Sequence, residues 1–226
     1  MPNKSRISEG QAVDEASLEL FSKVAGWGGC AASRRVRNIL KGTFRNGAKV
    51  LDVGTGPGTI PVHLQRVYTD TCFMGLDVSA GMLKKADGHR KRMKVKTVFL
   101  SGNGETLPFR DYCLDVVTSF FTLHHMDQPE KFLKEANRVL KPDGRLLIID
   151  FRRDMPRVLY SLLNGMWQLF FFFSSGRFGF RDSAFSAWQP DEIERIIARN
   201  DLNRFGVRSN PMELWIVTKG KKVRVD

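Results

Sequence analysis

The most constraining stretch of this chain is Lys49-Val-Leu-Asp-Val-Gly-Thr-Gly-Pro-Gly-Thr-Ile60. A short apolar run stops at an acid, turns through Gly54, Gly56 and Gly58, and opens a helical pattern. That order of strand, tight turn and helix is the beginning of a βαβ unit in a parallel sheet. Glycines at such a turn let backbone come close to a ligand with no Cβ in the way. The spacing is G-x-G-x-G, not the G-x-G-x-x-G that seats a pyrophosphate on a helix N-terminus. Asp52, just ahead of the turn, would repel a diphosphate and suits a ligand carrying an ammonium or a sulfonium.

The segment Cys72-Phe-Met-Gly-Leu-Asp77 is a second apolar strand ending in an acid, 19 residues beyond Gly58. In a βαβ nucleoside-binding unit the acid closing the second strand accepts hydrogen bonds from ribose hydroxyls, at about this separation. Asp77 has an alternative as a helix N-cap, but Ser79 can fill that place equally well. The ribose reading is preferred because strand, turn, helix, strand and acid occur in register.

Two further segments complete the pattern. After an expected strand at Val95–Leu100 comes Ser101-Gly-Asn-Gly-Glu-Thr-Leu-Pro-Phe-Arg-Asp111. Then Leu114-Asp-Val-Val-Thr-Ser-Phe-Phe-Thr-Leu-His-His125 leads through Met126-Asp-Gln to a helix from about Pro129 to Leu140. A Pro142-Asp-Gly144 turn and the apolar strand ending at Asp150 follow. The turn is expected to stop the helix and reverse the chain.

Together these four motifs resemble the class I methyltransferases that use S-adenosylmethionine, and most of all those of the ubiquinone/menaquinone biosynthesis type. The resemblance covers about residues 36–150. It implies a Rossmann-like α/β fold: a seven-stranded, mostly parallel sheet with helices on both faces and an antiparallel last strand. The implied cofactor is S-adenosyl-L-methionine, with S-adenosyl-L-homocysteine as product. Its expected contacts are Asp52, Gly54, Thr55, Gly56 and Gly58 from the first turn. Asp77, Val78 and Met82 follow the second strand, Asn103, Gly104 and Glu105 follow the third, and Phe120 ends the fourth. Asn103 stands where the family usually has Asp; its amide oxygen still accepts from an adenine amine. Asn-Gly is also an ordinary turn.

The organisation expected from this has an N-terminal helical arm or lid at 1–35, with Phe21 and Trp27 as lid residues or as plain sheet cover. The cofactor-binding core is 36–150, a Phe-rich insertion occupies 151–189, and 190–226 supplies a helix and the closing strands. Pro190 with acids behind it starts that helix, and Asp201–Val207 with Met212–Lys219 reads as an antiparallel pair. The tail Lys219–Arg224 is expected to be disordered.

Within the insertion, Val158–Phe173 is apolar but interrupted by Ser161, Asn164, Gly165 and Gln168. A bilayer-spanning helix needs ~20 mostly apolar residues, so this segment is too short and too polar to cross. Its order of readings is a substrate cap, a peripheral membrane contact flanked by Arg152, Arg153, Arg157, Arg177 and Arg181, and last a plain core helix.

Composition narrows the function classes. The net charge is +12, and seven basic residues cluster in Lys84–Lys96. Clustered cations neutralise phosphates, yet base-stacking aromatics are missing there, which favours a solvated helix end. The loop after the fourth strand lacks the Asn/Asp-Pro-Pro-Tyr motif of enzymes that methylate exocyclic amines, and it has no paired cysteines for methylating a base carbon. A nucleic-acid substrate is therefore disfavoured. Cys30, Cys72 and Cys113 show neither disulfide nor metal spacing, so no metal is expected. The first ten residues have no apolar core, and the cytoplasm is the default location.

The expected activity is methyl transfer to a small or amphipathic, apolar acceptor such as a quinol precursor or lipid, by a monomer or homodimer. An RNA methyltransferase, a nicotinamide-dependent oxidoreductase and a non-catalytic binding module are the alternatives. An activated methyl needs mainly an aligned nucleophile and a dry site. A base is required only when the nucleophile arrives protonated. His124, His125 and Tyr160 are the candidates, with Asp150 a further one, although a role in fixing the loop ranks ahead for both histidines.

Overall fold

A computed structural model describes residues 31–171 and 180–219. The expected lid residues Phe21 and Trp27, the end of the Phe-rich segment and the basic tail lie outside the described residues. Seven strands alternate with helices: β1 Lys49–Val53, α2 Thr59–Val67, β2 Cys72–Asp77, α3 Ala80–Met93, β3 Val98–Ser101, β4 Leu114–Phe120, α4 Pro129–Val139 and β5 Leu140–Phe151. After these come α5 Arg157–Phe171, α6 Phe180–Ser186, α7 Pro190–Arg199, β6 Phe205–Ser209 and β7 Glu213–Thr218. Residues 31–39 form a helix, α1, ahead of β1.

The strands form one sheet in the order β3-β2-β1-β4-β5-β7-β6. The pairs from β3 to β5 are parallel, and β7 runs antiparallel to both β5 and β6. Order reverses between β1 and β4, and the carboxyl ends of these two strands flank the crevice where open α/β sheets take ligands.

Strand alternation sorts the core onto two faces. Leu51 and Val53 of β1, Leu146 and Ile148 of β5, and Leu214 and Ile216 of β7 pack with α4 and α7. Their neighbours Val50, Leu147, Ile149, Trp215 and Val217 pack on the other face with α1 and α2. Both faces of the inner strands are therefore apolar, as parallel sheets require. At ~25 cal/mol per Å² of apolar surface buried, this double core supplies most of the drive to fold.

Three expectations change. The division drawn between residues 35 and 36 falls inside α1. Val36 and Ile39 of that helix and Leu40 just after it are buried, and Arg35 donates from both terminal nitrogens to the two carboxylate oxygens of Glu213 in β7, at 2.6 Å each. The helix thus belongs to the sheet's cover and starts the core. The third strand begins at Val98 rather than Val95, because α3 runs to Met93 and Lys94 leaves it with φ +54°.

Pro142-Asp-Gly144 is not a turn outside the sheet. Strand β5 starts at Leu140, and its pairing with β4 jumps from Leu114↔Leu140 to Val116↔Arg145, so these residues, with Lys141, form a bulge within the strand. Arg204 satisfies the bulge by donating to the carbonyls of Lys141 and Gly144 at 3.0 and 3.1 Å.

Candidate active site

The glycine-rich turn is tied to its surroundings before any ligand arrives. Gly54 N–H and Thr55 N–H both donate to the Leu76 carbonyl, at 2.8 and 3.1 Å. Gly56 N–H donates to Oδ2 of Asp77 at 2.8 Å, and the other oxygen of Asp77 accepts from Ser79 N–H at 2.9 Å. The acid at the end of β2 therefore joins the two loops that would grip a nucleoside. Ser79 is the cap of α3, accepting from Met82 N–H, so the rival role considered for Asp77 is filled by Ser79.

The reason for glycine here is partly internal. Gly54 has φ +69°, and a Cβ there would lie 2.1 Å from Cγ2 of Thr122. Gly58 also has φ +69°, and a Cβ there would strike the Phe99 ring at 2.5 Å. Left-handed backbone and lack of space both demand glycine at these two positions, with the contacts supplied by protein side chains.

Asp52, expected to face a cationic ligand, is only 4 % exposed. Its Oδ1 accepts from Thr118 Oγ1 at 2.8 Å and its Oδ2 from Thr55 Oγ1 at 2.9 Å. Burial pushes its pKa up to about 7, against the lowering effect of the Thr118 and Thr55 hydroxyls; the nearby negative charge of Asp77 adds to the rise.

Other expected contacts divide. Val78 is 72 % exposed next to Asp77, an apolar surface at the mouth that suits the face of a purine. Met82 is buried in α3. Asn103 is exposed, and its Oδ1 accepts Glu105 N–H at 2.9 Å, which leaves a second lone pair on that oxygen. Gly104 is buried against Val53 and Phe132. Phe120 is half-buried at the end of β4.

Beyond β4, Phe121 takes φ +50°, a conformation that bulky residues rarely adopt and that clusters at ligand sites. Its ring lies 4.6 Å from that of Phe151. A 3₁₀ turn, Leu123–His125, follows. His124 is buried, donating its main-chain N–H to Oδ2 of Asp150 at 2.9 Å, while its Nδ1 lies 2.7 Å from Oδ1. His125 is exposed, with its ring 4.1 Å from that of His124. Tyr160 lies on α5 with its ring 5.8 Å from Phe185 of α6. The reading of the chain missed Thr118, Thr122, Phe121 and Phe151. Their common signal is position at the carboxyl ends of β4 and β5, which is invisible until the strands are aligned.

A small polar cleft lined by Thr43, Arg45, Asp115, Asp143 and Arg145 sits at the opposite edge of the sheet, where Asp115 accepts the N–H of Lys49, the first residue of β1. It is remote from the glycine-rich turn.

A switch-point crevice edged by a glycine-rich turn, an acid closing β2 and an apolar residue beside it is similar to the layout of the class I S-adenosylmethionine-dependent methyltransferases. Residues 51–148 match the methyltransferase domain family model. The chain is also similar to curated enzymes of the ubiquinone/menaquinone biosynthesis type.

Among curated relatives, an uncharacterized methyltransferase, YcgJ, of Bacillus subtilis is 29 % identical over 160 residues, 70 % of this chain and 60 % of its own length. Demethylmenaquinone methyltransferase of Renibacterium salmoninarum is 39 % identical over 105 residues, covering 46 % and 42 %. The chain thus spans about half the length of the curated relatives it matches. Among solved structures, a SAM-dependent methyltransferase from Aquifex aeolicus superposes with a TM-score of 0.66 at 21 % identity, covering 92 % of this chain and 98 % of that one. The plantazolicin methyltransferase BpumL reaches 0.69 at 12 %, covering 91 % of each. At these identities the structures speak to the fold. The rigid turn, Asp77 and the exposed Val78 suit a nucleoside.

Proposed function

We propose that the protein transfers a methyl group from S-adenosylmethionine to a small, apolar or amphipathic acceptor of the quinol or lipid-like kind. The observation that carries this reading is the Asp77 carboxylate joined to Gly56 N–H at the carboxyl edge of β1 and β2. Such a carboxylate has lone pairs left to accept from ribose hydroxyls. When bound, the cofactor supplies an activated methyl on a sulfonium. The protein's task is to align a nucleophile at about 3–3.5 Å and keep water away. The paired Phe121 and Phe151 rings suit an apolar acceptor, and the α5–α6 pair that carries Tyr160 suits a cap over it.

His125 is the proposed group for taking a phenolic or enolic proton, since it is exposed in the loop after β4. His124 is proposed as its fixed support. Asp150 accepts both the main-chain N–H and the Nδ1 proton of His124, a pairing that sets which ring nitrogen carries hydrogen.

The RNA alternative rests on charge alone. Within the basic cluster of α3, Asp87 already pairs with Arg90 and Lys91. Calorimetry tests the proposal in its first part: S-adenosylhomocysteine binds and NADH does not. Incubating cell extract with methyl-labelled cofactor tests the second: label enters an organic-soluble metabolite. Label in RNA would reverse the assignment of the acceptor.

A further inference from the structure

Helix α5 has two faces of different character. Leu159, Tyr160, Leu163 and Trp167 pack with Met155 and Ala184. On the other side Val158, Leu162 and Met166 are 83 %, 59 % and 60 % exposed. These three recur at i, i+4 and i+8, which places them in one stripe along the helix. Arg157 and Ser161, also exposed, run along its rim. Single exposed apolar residues are ordinary, whereas a continuous apolar stripe rimmed by polar groups marks a contact surface.

Charge selects the occupant. Between Met155 and Arg181 the sequence has three arginines and no acid, in a chain of net charge +12. The preceding Arg152 and Arg153 are held by Asp154 and Glu192, so Arg157 is the cation beside the stripe. A second copy would bring the same excess of positive charge against it, while an anionic lipid surface attracts it. No described helix is long and apolar enough to cross a membrane, so contact of this kind lies in the plane of the interface.

We propose that the outer stripe of α5, Val158, Leu162 and Met166 with Arg157 at its rim, docks the protein on the surface of an anionic lipid bilayer. The inference stands apart from the methyl-transfer reading, since it uses only the face of α5 turned away from α6. Docking immerses the stripe at the headgroup level while the inner face keeps its packing on α6.

The full chain is mixed with vesicles of equal parts phosphatidylcholine and phosphatidylglycerol, or of phosphatidylcholine alone, and the bound fraction is read by co-sedimentation. Binding to the anionic vesicles is expected, weakening as salt rises. The double variant Leu162→Ser with Met166→Ser removes apolar surface without changing charge, and it lowers partitioning about thirtyfold. Arg157→Gln lowers it about fivefold. All three positions are exposed, so the circular dichroism spectrum and melting temperature stay as in the wild type. Wild-type binding by the double variant would assign adhesion to the basic surface at large and overturn the proposal. A wild-type dimer in light scattering that Leu162→Ser dissolves would overturn it too, in favour of a second copy.

Discussion

Asp150 holds His124 at two points, one carboxylate oxygen taking the main-chain N–H at 2.9 Å and the other lying 2.7 Å from the ring Nδ1. Both residues are about 2 % exposed, so the pair forms a dry strut between the end of β5 and the loop after β4. Asp150→Ala is expected to destabilise the fold by about 3–5 kcal/mol, because it orphans buried donors. Asp150→Asn keeps the shape and one acceptor, and methyl transfer by that variant should fall about a hundredfold through misplacement of the loop. Denaturant melts together with turnover rates check both values; an Asp150→Asn enzyme as fast as wild type would dismiss the strut from catalysis.

Asp77→Ala is expected to weaken S-adenosylhomocysteine binding by about 1–3 kcal/mol through loss of charge-assisted hydrogen bonds. Part of that loss comes from freeing the Gly56 N–H that Asp77 now accepts. Asp77→Asn separates the two contributions, since an amide oxygen still accepts one bond. Calorimetric titration of the three proteins supplies the comparison.

The pH response of the cofactor-free protein follows from Asp52. Its folded pKa, pushed up to about 7 by burial, lies above the ordinary value of about 3.9 for an unfolded aspartate. The folded state therefore holds a proton that the unfolded chain has given up. The stabilisation is fully present below the unfolded value and is lost as pH rises to the folded one. The slope over that window is about 1.4 kcal/mol per pH unit, levelling above it. Asp52→Asn should remove this slope, which urea midpoints measured across pH reveal as a difference between variant and wild type. A cationic ligand favours ionised Asp52, so affinity for the cofactor should rise with pH through about 7 in the wild type alone.

Glu213→Ala tests how α1 is fastened. Burial would raise the Glu213 pKa, but hydrogen bonds from Arg35, Trp215 and Asn210 outweigh it and hold the carboxyl below its ordinary range. The Arg35 guanidinium also stacks 4.7 Å from the Trp215 ring centre. Arg35 is 38 % exposed on its side chain while Glu213 is 2 %, so removing the acid costs mainly the buried indole N–H and the clamp, about 2–4 kcal/mol. For a chain of this size the melting temperature should drop by roughly 5–15 °C. Cofactor affinity should be unchanged.

Legibility followed distance along the chain. The turn from Asp52 to Gly58 and the acid at Asp77 were readable because their partners lie within one βαβ unit, where spacing alone fixes geometry. The role of Asp52 was not, since its burial depends on Thr118, 66 residues away. The local duty of Asn103, whose oxygen accepts the Glu105 N–H two residues on, also went unread. A short-range turn bond costs little entropy and forms first.

The sequence by itself determined the class of fold, the order of strands and helices and the location of the crevice, because apolar periodicity and glycine spacing are local properties of the chain. Tertiary structure alone decided that α1 belongs to the core through Arg35 and Glu213, that Pro142–Gly144 is a bulge, and that Asp150 pairs with His124. It also decided which face of α5 meets water. Each of these depends on burial and on partners brought together by sheet pairing, and neither desolvation nor a long-range hydrogen bond has a signature in linear order.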